Sequence, residues 1–149
     1  GVQHTLLGDE DVSALLRSPE VSMAASTISR HPSVRLKMVE KQREIAGKMS
    51  CVLDGRDIGT FVLPDADFKF YLTASPEVRA KRRYDEMVAR GEQVDFEALK
   101  RDIAARDEQD STRALAPLKK ADDAILIDTS DMTVDEVLDT LKRKMQEKI

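Results

Sequence analysis

Apolar positions along this chain alternate between short continuous runs and helical spacing. Residues 1–7 (GVQHTLL) predict a short strand, followed by a turn over Gly8 to Asp11 and a brief helical piece over VSALL. Ser18-Pro19-Glu20 has the form of a helix start, with a hydroxyl N-cap, proline in the first helical position and an acid in the first turn. Val21, Ala24, Ala25 and Ile28 follow at i, i+3, i+4 and i+7, the spacing of a buried stripe. Pro32 opens a second helix with Val34, Met38 and Ile45 on one face and Gly47 as C-cap. The runs CVL (51–53), FKFYLTA (68–74) and AILID (124–128) predict buried strands. Ser75-Pro76-Glu77 repeats the helix start, Gly91 ends that helix, and Asp95 begins another that runs to about Asp110. A last helix carries Val134, Val137, Leu138, Leu141 and Met145 on one face. Short apolar strands alternating with long helices predict βαβ units. The expected class is α/β, a parallel sheet with helices on both faces. On this pattern the chain is expected to open in the middle of a small sheet, and no glycine-rich loop follows any of the expected strands.

Composition narrows the chemistry. A chain of 149 residues with 41% apolar content buries a real core, on the order of 70% of its unfolded surface. The single cysteine, Cys51, forms no internal disulfide, and with only His4 and His31 it makes a poor zinc set. No apolar run approaches the ~18 residues of a spanning helix, and the N-terminus has no signal-peptide core. A soluble, cytoplasmic protein without a membrane partner is the expectation. The balance of 24 basic against 28 acidic residues argues against a polybasic surface, and 4% aromatic content offers little for stacking on nucleic acid.

The basic residues are unevenly distributed. Between Arg79 and Arg113 stand seven arginines and two lysines, against six arginines and nine lysines elsewhere. Guanidinium binds phosphate oxygens bidentately, whereas lysine is a point charge. Arg79, Arg82 and Arg83 fall at i, i+3 and i+4 on a surface helix. They form either a solvated face paired with Asp85 and Glu86 or a phosphate-binding face. Arg106, Asp110 and Arg113, at i, i+4 and i+7 just before Ala114-Leu115-Ala116-Pro117, suggest two guanidiniums flanking a carboxylate, or a surface salt bridge. Asp54-Gly55-Arg56-Asp57 directly follows the CVL run, so it falls at the carboxyl edge of the expected sheet, where open α/β folds bind ligands. Asp54 occupies the place of a Walker-B-type acid; the alternative is an Asx-turn with Gly55 at positive φ. Gly47-Lys48 is no phosphate loop, because G-x-x-x-x-G-K-[ST] would need glycine at Gln42 and a hydroxyl at Met49. His31, ahead of Pro32, reads as a cap or surface residue.

Taken together, VLDGRDIGTFVLPDADFKFYLTASPEVRAKRR, RDEQDSTRALAPL and the opening SPEVSMAAS…HPSVR resemble the bacterial cytidylate kinase family of nucleoside monophosphate kinases. The resemblance covers essentially the whole chain. It implies transfer of the γ-phosphoryl of ATP to CMP or dCMP with Mg²⁺, in a monomer. Residues 1–30 would be the latter half of a CMP-binding insertion and 31–149 the remainder of the kinase core, with a lid at about 75–113. Ser26, Arg35 and Asp57 would read the cytosine, Arg56 would hold the CMP phosphate, and Arg106 and Asp110 would reach the phosphate and ribose. Arg113 would neutralise the transferring group, and Arg79, Arg82 and Arg83 would serve the lid over ATP; Asp54, by its place after the CVL run rather than by the resemblance, is the candidate to act on Mg²⁺ or its waters. The family's first strand and phosphate loop are not found in this chain. It is therefore expected to be incomplete for activity by itself; a nucleotide-binding module without ATP chemistry is the alternative.

Overall fold

The computed structural model describes residues 4–16 and 18–147. The chain divides into two compact units, one ending at Cys51 and the other beginning at Val52.

In the first unit, β1 (Leu6–Leu7) pairs antiparallel with β2 (Glu10–Asp11). Gly8 turns the hairpin at φ +63°, a conformation glycine adopts without Cβ strain. The strand expected over residues 1–7 is thus two residues long where described, and its first three positions lie outside the described residues. Asp11, expected in the turn, is in the ladder, and the VSALL piece is a single turn closed by Val12 O accepting from Leu15 N at 2.9 Å. Helix α1 (Pro19–Ile28) starts as expected, the Ser18 hydroxyl accepting from Val21 N at 3.2 Å. Its apolar stripe is not buried. Ile28 is 55% exposed, and Val21, Ala24 and Ala25 are exposed as well, because helical periodicity marks a face fit for covering without supplying what covers it. Helix α2 (Pro32–Ala46) runs from the exposed His31, an N-cap without a side-chain bond, to Gly47. Val39 is its buried residue, whereas Met38 and Ile45 are exposed.

At the boundary, Cys51 ends the first unit and Val52 and Leu53 open the second; none of the three is in a strand, and Val52 is fully exposed. A strand exists only through a ladder partner, and no described segment pairs with this run. A π-helical turn, Ile58–Val62, follows the DGRD sequence. Strand β3 (Phe70–Thr73) pairs in parallel with β4 (Ile125–Asp128), Phe70 opposite Ile125 and Thr73 opposite Asp128. The start of this register is held by the largely buried Lys69, whose ammonium donates to Asp123 at 2.7 Å. Two helices lie between these strands in sequence. The first, α3 (Pro76–Ala89), is capped by the Ser75 hydroxyl and followed by Gly91 at φ +80°. The second, α4 (Phe96–Thr112), is capped by Asp95 accepting from Ala98 N at 2.8 Å. The two helices pack on each other through an edge-on Tyr84–Phe96 pair with ring centroids 5.7 Å apart and through Arg79–Asp107 and Lys100–Glu77 ion pairs. Helix α5 (Val134–Gln146) begins with a reciprocal capping box between Thr133 and Glu136. The fold is α/β with a parallel strand pair, as the alternation predicted.

Candidate functional site

In the second unit, charged side chains of the DGRD segment and of the C-terminal end of α4 come together. After the irregular segment 51–54 the chain bends through Gly55, Arg56 and Asp57 and enters the π-turn. There the Asp57 carbonyl accepts from Phe61 N at 2.8 Å and Val62 N at 3.2 Å. The wide turn is anchored by Val62, 1% exposed, and leaves Asp57 only 8% exposed. Single π-turns tend to occur where a side chain must be aimed.

The Asp57 carboxylate lies 3.7 Å from Nη2 of Arg113, and Nη1 of Arg113 lies 3.6 Å from Asp110. Asp110 in turn accepts from Arg56 Nε at 3.0 Å, across 54 residues of sequence. Two guanidiniums and two carboxylates therefore alternate in one cluster, with Asp57, Asp110 and Arg113 mostly buried and Arg56 the exposed member. Arg113 is also fixed by its own turn. It stands just beyond the last residue of α4 with ψ 141°, and its Nε donates to the carbonyl of Ala116. Ala116 is buried at φ +52°, the left-handed region that a residue with a Cβ rarely occupies, and it precedes Pro117. The carbonyl of Asp110 meanwhile accepts from Leu118 N at 2.8 Å, closing the loop. A strained backbone that directs one arginine is what a functional site shows when its surroundings hold it in place.

The sequence expectation placed Arg106 and Arg113 on either side of Asp110 along one helix. The structure pairs Asp110 with Arg56 and Arg113 instead, because Arg113 has left the helix and Arg56 enters from another segment. Arg106 is exposed, and its side chain makes no hydrogen bond or ion pair among the described residues. Asp54 is exposed. Among the described residues, no three His, Cys, Asp or Glu side chains converge as a metal cage.

The remaining candidates are placed as follows. Arg79 pairs with Asp107 on α4, and Arg83 pairs with Glu86 at 2.8 Å along its own helix. Arg82 reaches the loop after β4. In the first unit, Ser26 and Arg35 are linked through Ser29, whose hydroxyl donates to the Ser26 carbonyl at 2.8 Å while its own carbonyl accepts from Arg35 Nε at 3.1 Å. Sequence reasoning missed the Arg56–Asp110 pair, the π-turn and the Ala116 turn. The alanine ahead of Pro117 was the one local signal that this segment is special.

The model of the cytidylate kinase family matches residues 1–147. This chain belongs to the cytidylate kinase family. It is 50% identical over 147 residues to a cytidylate kinase of Geobacillus sp. (strain WCH70), covering 99% of this chain and 66% of that protein. A cytidylate kinase of Anoxybacillus flavithermus is 51% identical over 140 residues, which is 94% of this chain and 62% of that protein. One of Corynebacterium glutamicum is 55% identical over 137 residues, 91% of this chain and 60% of that protein. The chain thus spans 60–66% of the length of these curated relatives. Among the described residues, no helix is long and apolar enough to cross a membrane.

Proposed function

We propose that this chain carries the acceptor-nucleotide and lid portion of an ATP-dependent kinase that phosphorylates CMP or dCMP to CDP or dCDP. The cluster of Arg56, Asp57, Asp110 and Arg113 carries the reading. Phosphoryl transfer asks little covalent chemistry of a protein; it needs phosphates held in line and positive charge where negative charge builds up. Arg56, fixed through Nε to Asp110 and partly exposed, would offer its Nη donors to the acceptor phosphate. Asp110 orients that fork and takes a ribose hydroxyl, and Arg106 swings to the same phosphate. Arg113, clamped by Ala116 and flanked by two carboxylates, provides a preorganised cation for the transferring group. Asp57 in the second unit, and Ser26 and Arg35 in the first, carry the roles that the family pattern gives to cytosine recognition. Arg79 and Arg83 bring lid charge toward ATP; their present carboxylate partners are groups that a phosphate can displace.

Asp54 would be the carboxylate to hold Mg²⁺ bound with ATP, which would supply charge neutralisation at the phosphates. Residues up to about 30 serve the acceptor-binding insertion, those from 31 the core, and about 75–113 the lid. The enzyme acts as a monomer in the cytoplasm, on nucleotides rather than nucleic acid. The test is ADP production from ATP by the full open reading frame carrying these residues, with CMP, dCMP, UMP and AMP compared as acceptors. Turnover with CMP or dCMP well above the other two is the expected result. CMP binding without turnover would point to a nucleotide-binding module, and absence of both would overturn the reading.

A further inference from the structure

The three clustered arginines of α3 are not equivalent in their partners. Arg79 and Arg83 face carboxylates, Asp107 and Glu86. The fork of Arg82 is filled by neutral oxygens. Nη1 donates to the Thr129 hydroxyl at 3.1 Å, and Nη2 donates to the carbonyls of Thr129 and, at 3.2 Å, Met132. These acceptors belong to a loop already tied to the sheet. The Thr129 amide and hydroxyl both donate to the Thr73 carbonyl, at 2.8 and 2.9 Å, and Thr129 is 6% exposed. The next residue accepts from the start of the same helix, Ser75 N donating to the Ser130 hydroxyl at 2.9 Å. Helix α3 is therefore anchored at two points, its N-cap and its second turn, to the loop at the carboxyl ends of β3 and β4. That edge is where α/β sheets receive ligands.

We propose that Arg82 is a positioning residue, a latch that sets the angle of the α3–α4 hairpin against the β4–α5 loop, rather than a ligand of the ATP phosphates. A guanidinium is suited to this work because its rigid fork of donors reaches three separate oxygens at once, whereas an ammonium on a flexible stem is a point charge without that fixed geometry. Its consequence for turnover rests on the kinase reading above; the latch itself does not.

Two measurements on the full-length protein decide it, each on Arg82→Ala, Arg82→Lys and Arg82→Gln. The first is amide hydrogen exchange over residues 129–133. The latch predicts exchange at least about tenfold faster there in all three variants, with α5 unchanged. The second is steady-state kinetics. The latch predicts a fall in kcat of similar size, roughly ten- to a hundredfold, for the alanine and lysine variants, with KM for CMP within about twofold of the parent. Lysine keeps the charge and loses the fork, so it separates the two roles. Unchanged exchange in the loop overturns the proposal, as does lysine restoring turnover while the loop still exchanges fast. Should the parent protein show no CMP phosphorylation, the kinase reading fails, and the exchange measurement still decides the latch.

Discussion

Replacing Asp57 tests the centre of the cluster. Its carboxylate is 11% exposed and lies 3.7 Å from the guanidinium of Arg113, itself 17% exposed. Removing one partner of a well-buried ion pair costs about 3–5 kcal/mol, because the other charge is left uncompensated. Two features here reduce that figure. The contact is longer than a direct hydrogen bond, and Asp110 remains 3.6 Å from the opposite Nη of Arg113. Asp57→Ala should therefore lose about 2 kcal/mol, a lowering of Tm on the order of 10 °C for a unit of this size. Asp57→Asn keeps the shape and the capacity to accept, and should lose less.

The same pair of variants addresses base choice under the proposed function. Cytosine presents an amine where uracil presents a carbonyl, so a carboxylate pairs with the first and opposes the second. A mispaired buried polar group costs about 1–3 kcal/mol, roughly ten- to a hundredfold in relative specificity. The amide of Asp57→Asn can turn either its oxygen or its nitrogen to the base, so the CMP-to-UMP ratio of kcat/KM should narrow by about that factor. Melting curves and the two specificity constants in the full-length protein are the assays. A CMP-to-UMP ratio held within twofold in Asp57→Asn would mean that Asp57 only braces the π-turn. A melting temperature held within about 2 °C in Asp57→Ala would mean that the contact with Arg113 contributes nothing measurable.

Ala116→Gly, which removes the left-handed strain while adding chain entropy, should leave Tm within a few degrees; Ala116→Val, β-branched at φ +52°, should lose about 2 kcal/mol or more in the same melts. Asp128 accepts from the hydroxyl and the amide of Ser130, which hold its carboxyl below the ordinary aspartate range. Because the folded value is the lower one, the bracing of the β4–α5 loop is complete above about pH 4 and is lost as pH falls through the depressed value; an NMR titration of the Ser130 amide with its midpoint above that range would contradict this. Thr133→Ala removes the hydroxyl half of the capping box and should cost about 1 kcal/mol, read as faster exchange in the first turn of α5.

The elements that could be read from the sequence are those whose determinants lie within a few residues. Ser18, Ser75 and Asp95 each accept from an amide three positions on, so the residue that starts the helix is written beside it. Gly91 is legible for the same reason, since its positive φ is a local demand. The CVL run has strand composition, yet a ladder needs a second segment, and composition does not say whether one is present. Helical spacing over Val21 to Ile28 marks an apolar face; in the described residues that face lies in solvent. The π-turn at Ile58–Val62 has no residue signature, because its bonds run from Phe61 and Val62 back to the backbone carbonyl of Asp57.

The site divides along the same line. Asp57 is legible as a candidate from its place just after the CVL run, and Asp110 and Arg113 from residue types that suit phosphate chemistry, but the helical spacing that relates those two ends one residue before Arg113. Thr112 is the last residue of α4, so Arg113 turns away from the face that carries Arg106. Its direction then comes from the Ala116 carbonyl, which points back only because the chain adopts a left-handed residue before a proline. Arg56 arrives from a segment 54 positions distant, and no spacing rule connects it to Asp110. The partners of Arg82 are less legible still. Two of its three acceptors are backbone carbonyls, which every residue possesses, so nothing in the identity of Thr129 or Met132 announces them. An arginine's charge is visible in sequence, whereas the backbone oxygens that orient it emerge only when the strands and loops have come together.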